Sequence, residues 1–202
     1  SPRLFLDRFE ILDEALPVGI PAFSDDFSGP DLGEGWSPLD NEDGATQIGF
    51  ADGRYEIKDN QKGGDAGVRR PVGGTGSFTA TARLTLQDFA GSNSDFKFRF
   101  LGGKFIEVVY NSFDDIRVFS GEVGGNIGRF NKVGFQDGDV LDFKMAFDSV
   151  TGTVQVGFAQ NGGPMILLAE ESSLFGFEPK NVDLMLFKFG DGNGNAPRLL
   201  LD

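Results

Sequence analysis

The hexapeptide DFKFRF, residues 95–100, spaces three phenylalanines two positions apart with a cation in each gap. No helix gathers Phe96, Phe98 and Phe100 on one side, because positions two apart lie about 200° apart around it. A strand does so automatically, since its side chains alternate between two faces. The same period runs through SFTATARLTLQ, where Phe78, Ala80, Ala82, Leu84 and Leu86 oppose Thr79, Thr81, Arg83 and Thr85. It returns in LDFKMAFD, with Leu141, Phe143, Met145 and Phe147 against Asp142, Lys144 and Asp148. TVQVGFAQ, MILLAE and VDLMLFKFG read as further strands.

Turn signals separate these runs: Gly91-Ser92-Asn93, Gly102-Gly103, Asp137-Gly138, Thr151-Gly152 and Asn161-Gly162-Gly163. FDSVTGTVQV predicts a hairpin with its tip at residues 149–152. A composition of 30 Gly and 22 Phe suits short strands, tight turns and aromatic core fillers. Helical content is expected to be limited to single turns near residues 13–16 and 171–175. The fold class is therefore all-β, an antiparallel sandwich or barrel.

The chain holds no Cys and no His, which excludes disulfides, thiolate metal sites and, within this chain, Ser-His-Asp and Cys-His catalysis. Its formal net charge of −13 opposes binding to nucleic acid, where Lys and Arg must replace phosphate counterions, and to anionic membranes. No apolar run approaches the roughly 20 residues of a membrane-spanning helix, so no membrane insertion is expected. The charge suits a Ca²⁺-containing exterior, a saline habitat or simply solubility, and a secreted or cell-surface setting is expected.

At FSDDFSGPDLGEGW, residues 23–36, the chain resembles the concanavalin A-like lectin/glucanase superfamily, especially bacterial laminin-G-like jelly rolls. Those commonly open on an Asp-Asp-Phe strand, a Gly-rich turn and a tryptophan. FADGRYEIK, GSFTATARLTL and DGDVLDFKMAFDSVTGTVQV follow in the order such domains show. The resemblance spans about residues 22–190 and implies a jelly-roll sandwich of two curved antiparallel sheets, with ligands on the concave face or the loop rim. It also implies a structural Ca²⁺ tying the opening strand to a late one. Its ligands would be Asp25 or Asp26, a backbone oxygen near Gly53, and an acid such as Asp183. DGNGNAPRLLLD superficially has EF-hand spacing but lacks Gly at the sixth position, and reads as a plain turn.

The two ends match. Residues 1–7, SPRLFLD, and 196–202, APRLLLD, are identical at five of seven positions. The expectation is one period of a tandem array, with residues 3–12 in the closing-strand position of this body or of a neighbouring copy. The domain division is a strand and Pro-containing linker over 1–21 and the sandwich over 22–202, with neighbouring repeats as partners.

Retaining hydrolysis within the superfamily uses carboxylates grouped on one strand, about 5–5.5 Å apart. Here Glu10, Asp13 and Glu14 have the wrong spacing, and Glu107 has no carboxylate two residues away, so no catalytic residue is assigned. The outward residues Arg83, Lys97, Arg99, Glu107 and Arg117, joined by Thr81, are expected to converge on one polar face suited to a polysaccharide or cell-surface glycan. A solvated face of cross-strand ion pairs shows the same pattern. Trp36 reads as a core or edge plug, and Tyr110 as the better candidate for a rim aromatic stacking on sugar, the alternative being an aromatic that packs a loop. The expected function is a non-catalytic carbohydrate-binding or adhesion module of a secreted or surface bacterial multidomain protein. The competing expectations are a structural spacer or assembly repeat, and a divergent glycoside hydrolase or lyase.

Overall fold

The computed structural model describes residues 8–12, 23–25, 32–39, 46–51, 54–59, 63, 65–73, 76–89, 93–112, 115–121, 124–131, 134, 136–189 and 198–201. Sixteen strands lie among them, and no helix does; of the single turn expected over 171–175, β14 keeps Glu171 and a hydrogen-bonded turn follows, Phe177 N–H donating to the Leu174 carbonyl at 3.1 Å, while that expected near residue 13 lies outside the described residues. The first six are β1 (Arg8–Leu12), β2 (Phe23–Asp25), β3 (Ser37–Pro38), β4 (Thr46–Ala51), β5 (Arg54–Asp59) and β6 (Asp65–Pro71). β7 (Phe78–Gln87), β8 (Ser94–Leu101), β9 (Phe105–Asn111), β10 (Asp115–Ser120) and β11 (Gly125–Asn131) follow. The last are β12 (Val140–Asp148), β13 (Thr153–Gln160), β14 (Ile166–Glu171), β15 (Asn181–Lys188) and β16 (Arg198–Leu201).

They form two antiparallel sheets. The seven-stranded sheet runs β11-β10-β9-β8-β15-β6-β3; the nine-stranded one runs β14-β13-β12-β7-β16-β5-β4 with β1 and β2 attached beside β7. Opposite its β12 edge, β7 takes two partners end to end: β1 along residues 79–83 and β16 along residues 85–87.

The alternation fixes which side each strand buries. Phe96, Phe98 and Phe100 from one sheet meet Phe78, Phe143 and Met145 from the other in a single core, all 3% exposed or less. Rings interlock across the gap, Phe78 with Phe100 at 4.7 Å and Phe96 with Phe143 at 5.7 Å between centroids. Burying each such side chain contributes about 1.5–3 kcal/mol, which is what holds the two sheets together. Trp36 packs into this core, as its plug assignment requires. The hairpin tip falls at residues 149–152 as expected, between β12 and β13. At the next turn Asn161 and Gly162 take φ of 52° and 69°, the left-handed pair that twists correctly into a tight connection.

Candidate functional site

The second phase of the alternation builds the outward face of the seven-stranded sheet. Because neighbouring strands are in register, its side chains fall into rows running across the strands. One row is Phe119, Glu107, Arg99, Asp183, Arg69 and Ser37, from β10, β9, β8, β15, β6 and β3. The next is Arg129, Arg117, Val109, Lys97, Met185 and Gly67. The third is Asn131, Asp115, Asn111, Asp95, Phe187 and Asp65. Gly67 has to lack a side chain: a Cβ there would strike the Leu184 carbonyl of the adjacent strand.

Ion pairs lock the first row. Asp183, with its side chain fully buried, accepts from Arg69 Nε at 2.7 Å on Oδ1 and from Arg69 Nη2 at 2.9 Å on Oδ2. The same Oδ2 takes Arg99 Nη2 at 2.9 Å and Arg99 Nε at 3.2 Å. The far side of the Arg99 guanidinium lies 3.6 Å from Glu107 Oε2. In the other rows Lys97 Nζ reaches Asp65 at 2.9 Å and sits 4.4 Å above the Phe187 ring. Asn111 Nδ2 donates to Asp95 at 2.5 Å. Asp115 Oδ2 accepts from Arg117 at 2.8 Å and Arg129 at 2.7 Å, while its buried Oδ1 has no hydrogen-bond partner among the described residues.

Five acids (Asp65, Asp95, Glu107, Asp115, Asp183) thus face five bases (Arg69, Lys97, Arg99, Arg117, Arg129), and the face is neutral in a chain of net charge −13. Crowding leaves its mark on protonation. Burial pushes Asp95 up to about 6, against the hydrogen bond from Asn111. Burial also raises Glu107, against the attraction of Lys97 and Arg99. The hydrogen bond to Asp183 raises Arg69.

At the end of β15 the face carries an aromatic step. Phe189 is 47% exposed and meets Phe187 edge-on, 4.7 Å between centroids at 71°. Lys97 covers Phe187, so Phe189 is the free ring, held in place by a neighbour that is itself fixed. Its backbone N–H is anchored to the Asn93 carbonyl at 2.9 Å.

The structure brings Lys97, Arg99, Glu107 and Arg117 together on this face as expected, and separates others from it. Arg83 belongs to β7 of the other sheet, where it and Thr81 look outward and Arg83 Nε pairs with Asp142 at 2.7 Å. There it lines an open cleft of about 480 Å³ with Asp142 and Met165. A second cleft of about 630 Å³ lies on the same sheet beside Ser77, Thr79, Asp148, Gln155 and Glu170. Tyr110 is no rim aromatic: it is 1% exposed, stacked on Phe89 at 5.7 Å and Phe158 at 6.4 Å. Its phase follows Ile106 and Val108, both in the core.

The Ca²⁺ ligand set does not assemble from the described residues. Asp183 has both oxygens engaged by guanidinium groups on one sheet, whereas Asp25 lies in β2 of the other, near the Arg70 charge. Asp26 and Gly53 lie outside the described residues. Among those described, no group of three or more carboxylates is placed to hold a metal. No helix is long and apolar enough to cross a membrane.

Sequence reasoning missed Phe187, Phe189, Phe119 and Arg69. In VDLMLFKFG the apolar Val182, Leu184 and Leu186 set the inward phase, which already points Phe187 outward with Asp183 and Met185.

No family model and no curated protein matches the sequence. Solved structures do match the fold. A seed lectin from Lotus tetragonolobus superposes with a TM-score of 0.57 at 13% identity, covering 86% of this chain and 93% of the lectin. Arcelin-5, a lectin-like defence protein from Phaseolus vulgaris, gives 0.62 at 10% identity, with 86% and 93% covered. The GH43 protein BlXynB from Bacillus licheniformis gives 0.59 at 15% identity; 87% of this chain corresponds to only 37% of that enzyme. The chain therefore shares the fold of these proteins, a jelly roll of two antiparallel sheets. Lectins and glycoside hydrolases both stand among its structural neighbours, and the fold alone does not choose between them.

Proposed function

We propose that the protein is a non-catalytic carbohydrate-binding module of a secreted or surface bacterial multidomain protein, and that the outward face of the seven-stranded sheet takes the glycan. The observation that carries this reading is Phe189, an exposed ring braced by Phe187 beside rows of fixed hydrogen-bonding groups. A pyranose has an apolar C–H face and a rim of hydroxyls, so its recognition needs a flat aromatic surface next to directional polar groups. Asp65, Asp95 and Asn111 share the row of Phe187, and Lys97 covers the Phe187 ring, all held by ion pairs and hydrogen bonds. Groups already immobilised lose little entropy on binding, which favours recognition by a shallow face.

The test is a glycan array followed by titration calorimetry. A polysaccharide ligand is expected, bound at micromolar to millimolar Kd and weakened by Phe189→Ala and Arg99→Ala. Arg83→Ala, on the opposite sheet, serves as the control that leaves binding unchanged. An array without signal supports the spacer reading instead.

A hydrolase or lyase is the second reading, favoured by one observation. Burial raises both Glu107 and Asp95, and a carboxyl kept protonated toward neutral pH is what a general acid requires. A partner carboxylate is the obstacle, because Asp183 directs both oxygens to guanidinium groups. Release of reducing or unsaturated sugar from a bound polysaccharide would establish this reading over the first.

A further inference from the structure

We propose that Arg117 and Arg129 form an anion clamp at the β11 edge of the seven-stranded sheet, and that the ligand of this face is an anionic polysaccharide carrying carboxylate or sulfate groups. This inference rests on the glycan reading and deepens it. Among the described residues of the face, other charged side chains that stand directly opposite a charged one meet the opposite sign. Glu107 meets Arg99, Arg99 meets Asp183, and Asp183 meets Arg69. Arg117 and Arg129 instead face each other across β10 and β11. Like charges placed so destabilise a sheet, and Asp115 supplies one negative charge for the two.

Asp115 also supplies only one oxygen. Its Oδ2 accepts from Arg117 Nε at 3.1 Å, from Arg117 Nη2 at 2.8 Å and from Arg129 Nη2 at 2.7 Å, while its Oδ1 is buried and takes no bond. Nη1 of Arg117, and Nε and Nη1 of Arg129, donate to no group among the described residues. The two side chains are 38% and 51% exposed. The outcome is a net positive pair of guanidinium groups with unused donors toward solvent. Carboxylate and sulfate oxygens suit such planar forks, through charge-assisted hydrogen bonds.

The clamp is built on a fixed backbone although β11 is an edge strand. Gly128 lies against the Leu168 carbonyl of β14, where a Cβ would strike it. The β10–β11 register shifts between Val118 and Phe119 and leaves Ile127 as the extra residue of a bulge, a device that re-aims the side chains beside it. Phe189 stands just past the end of β15, three strands from β10 and so about 14 Å away across the sheet. A polysaccharide spans from ring to clamp, and a monosaccharide does not. The net charge of −13 does not forbid this, because at physiological salt charges beyond about 8 Å are largely screened. The same charge opposes nucleic acid, whose binding requires many phosphates to be neutralised.

The test titrates a polyuronate, a sulfated galactan and a neutral β-glucan into wild-type protein and into Arg129→Gln, Arg129→Lys and Arg83→Gln. Arg129 is the residue to change because Arg117 keeps Asp115 paired, and melting curves check that each variant folds. At least one anionic polymer is expected to bind more tightly than the neutral one, by a margin that shrinks as salt is raised; whether the polyuronate or the sulfated polymer leads identifies the anionic group. Arg129→Gln is expected to weaken anionic binding about tenfold or more, the scale of a lost charge-assisted hydrogen bond. Arg129→Lys recovers part of it, and Arg83→Gln binds as the wild type does. The wild-type preference and its salt dependence keep the test decisive if Arg129→Gln folds poorly. Neutral glucan bound as tightly as the anionic polymers, or anionic binding indifferent to Arg129→Gln, overturns the clamp and leaves the glycan reading standing. An oligonucleotide bound as tightly as the anionic polymer overturns the saccharide assignment, and no polysaccharide binding in any arm overturns both readings.

Discussion

Replacing Asp183 by Asn tests whether the central row is a structural lock or a loose surface pairing. The side chain keeps its size but loses the charge that both Arg69 and Arg99 face. Breaking one partner of a buried ion pair costs about 3–5 kcal/mol. The arginine side chains here are 34% and 21% exposed, so water recovers part of that loss. A cost of roughly 2–3 kcal/mol is the reasonable expectation after that screening. For a chain of this size each kcal/mol moves Tm by about 2–4 °C, which gives a drop of roughly 5–10 °C. Asp142→Asn supplies the comparison, because Asp142 also pairs bidentately with an arginine, Arg83, but at 48% and 21% exposure. Exposed pairs contribute about 0–1 kcal/mol, so this variant is expected to lose no more than about 4 °C. Calorimetric melting of both proteins at one pH and salt decides the matter. Equal shifts would refute the claim that burial, rather than pairing geometry, sets the value of these contacts.

Three further outcomes follow from the same geometry. Asp95 titrates near 6 in the folded chain and near 3.9 when unfolded, so the folded state binds the extra proton between those values. Its contribution to stability therefore falls as pH rises from about 4 through 6, by roughly 3 kcal/mol in all, and is flat above that. Asp95→Asn is expected to remove that part of the slope in urea titrations run across the same range, and an unchanged slope would show that Asp95 is not the group responsible. Gly67→Ala is expected to cost several kcal/mol, more than a Gly-to-Ala change in an open strand, because the new methyl meets the Leu184 carbonyl; a normal urea midpoint would contradict this. A Ca²⁺ site at the opening strand would have to use Asp25 or Asp26 and a backbone oxygen near Gly53 without Asp183, so Asp183→Asn should leave any Ca²⁺-dependent rise in Tm intact, and its loss in that variant would restore Asp183 as a ligand.

The alternation was enough to read the fold. Phe96, Phe98 and Phe100 lie inward, Lys97 and Arg99 outward, and the hairpin tip at residues 149–152 sits where its turn residues put it. The same alternation assigns a side chain to the inside or outside of a strand but does not say to which sheet the strand belongs. Arg83 therefore shares its outward phase with Lys97 and Arg99, although pairing with β12 places it on the opposite sheet. The amphipathic chemistry of Tyr110 and its place at a strand-to-loop junction suggest a rim aromatic, while its phase with Ile106 and Val108 points inward, and the phase prevails. Asp183 entered through resemblance as a metal ligand. Its actual partners come from strands distant in sequence, Arg69 and Arg99, and such pairings depend on strand order that no local pattern encodes. The phase of VDLMLFKFG already points Phe187 and Phe189 outward; that Phe187 is covered by Lys97 while Phe189, just past the end of β15, stays exposed depends on the pairing of β15 with β8, which no local pattern encodes.

The central claim is that the outward face of the seven-stranded sheet binds a glycan, and one measurement reaches it most directly. Wild-type protein and the variants Phe189→Ala and Arg83→Ala are titrated with the polysaccharide that gives the strongest array signal. The account predicts that Phe189→Ala loses most of the affinity at unchanged Tm, while Arg83→Ala binds as the wild type does. Binding that survives Phe189→Ala and fails with Arg83→Ala would contradict it and place the ligand in the clefts of the other sheet.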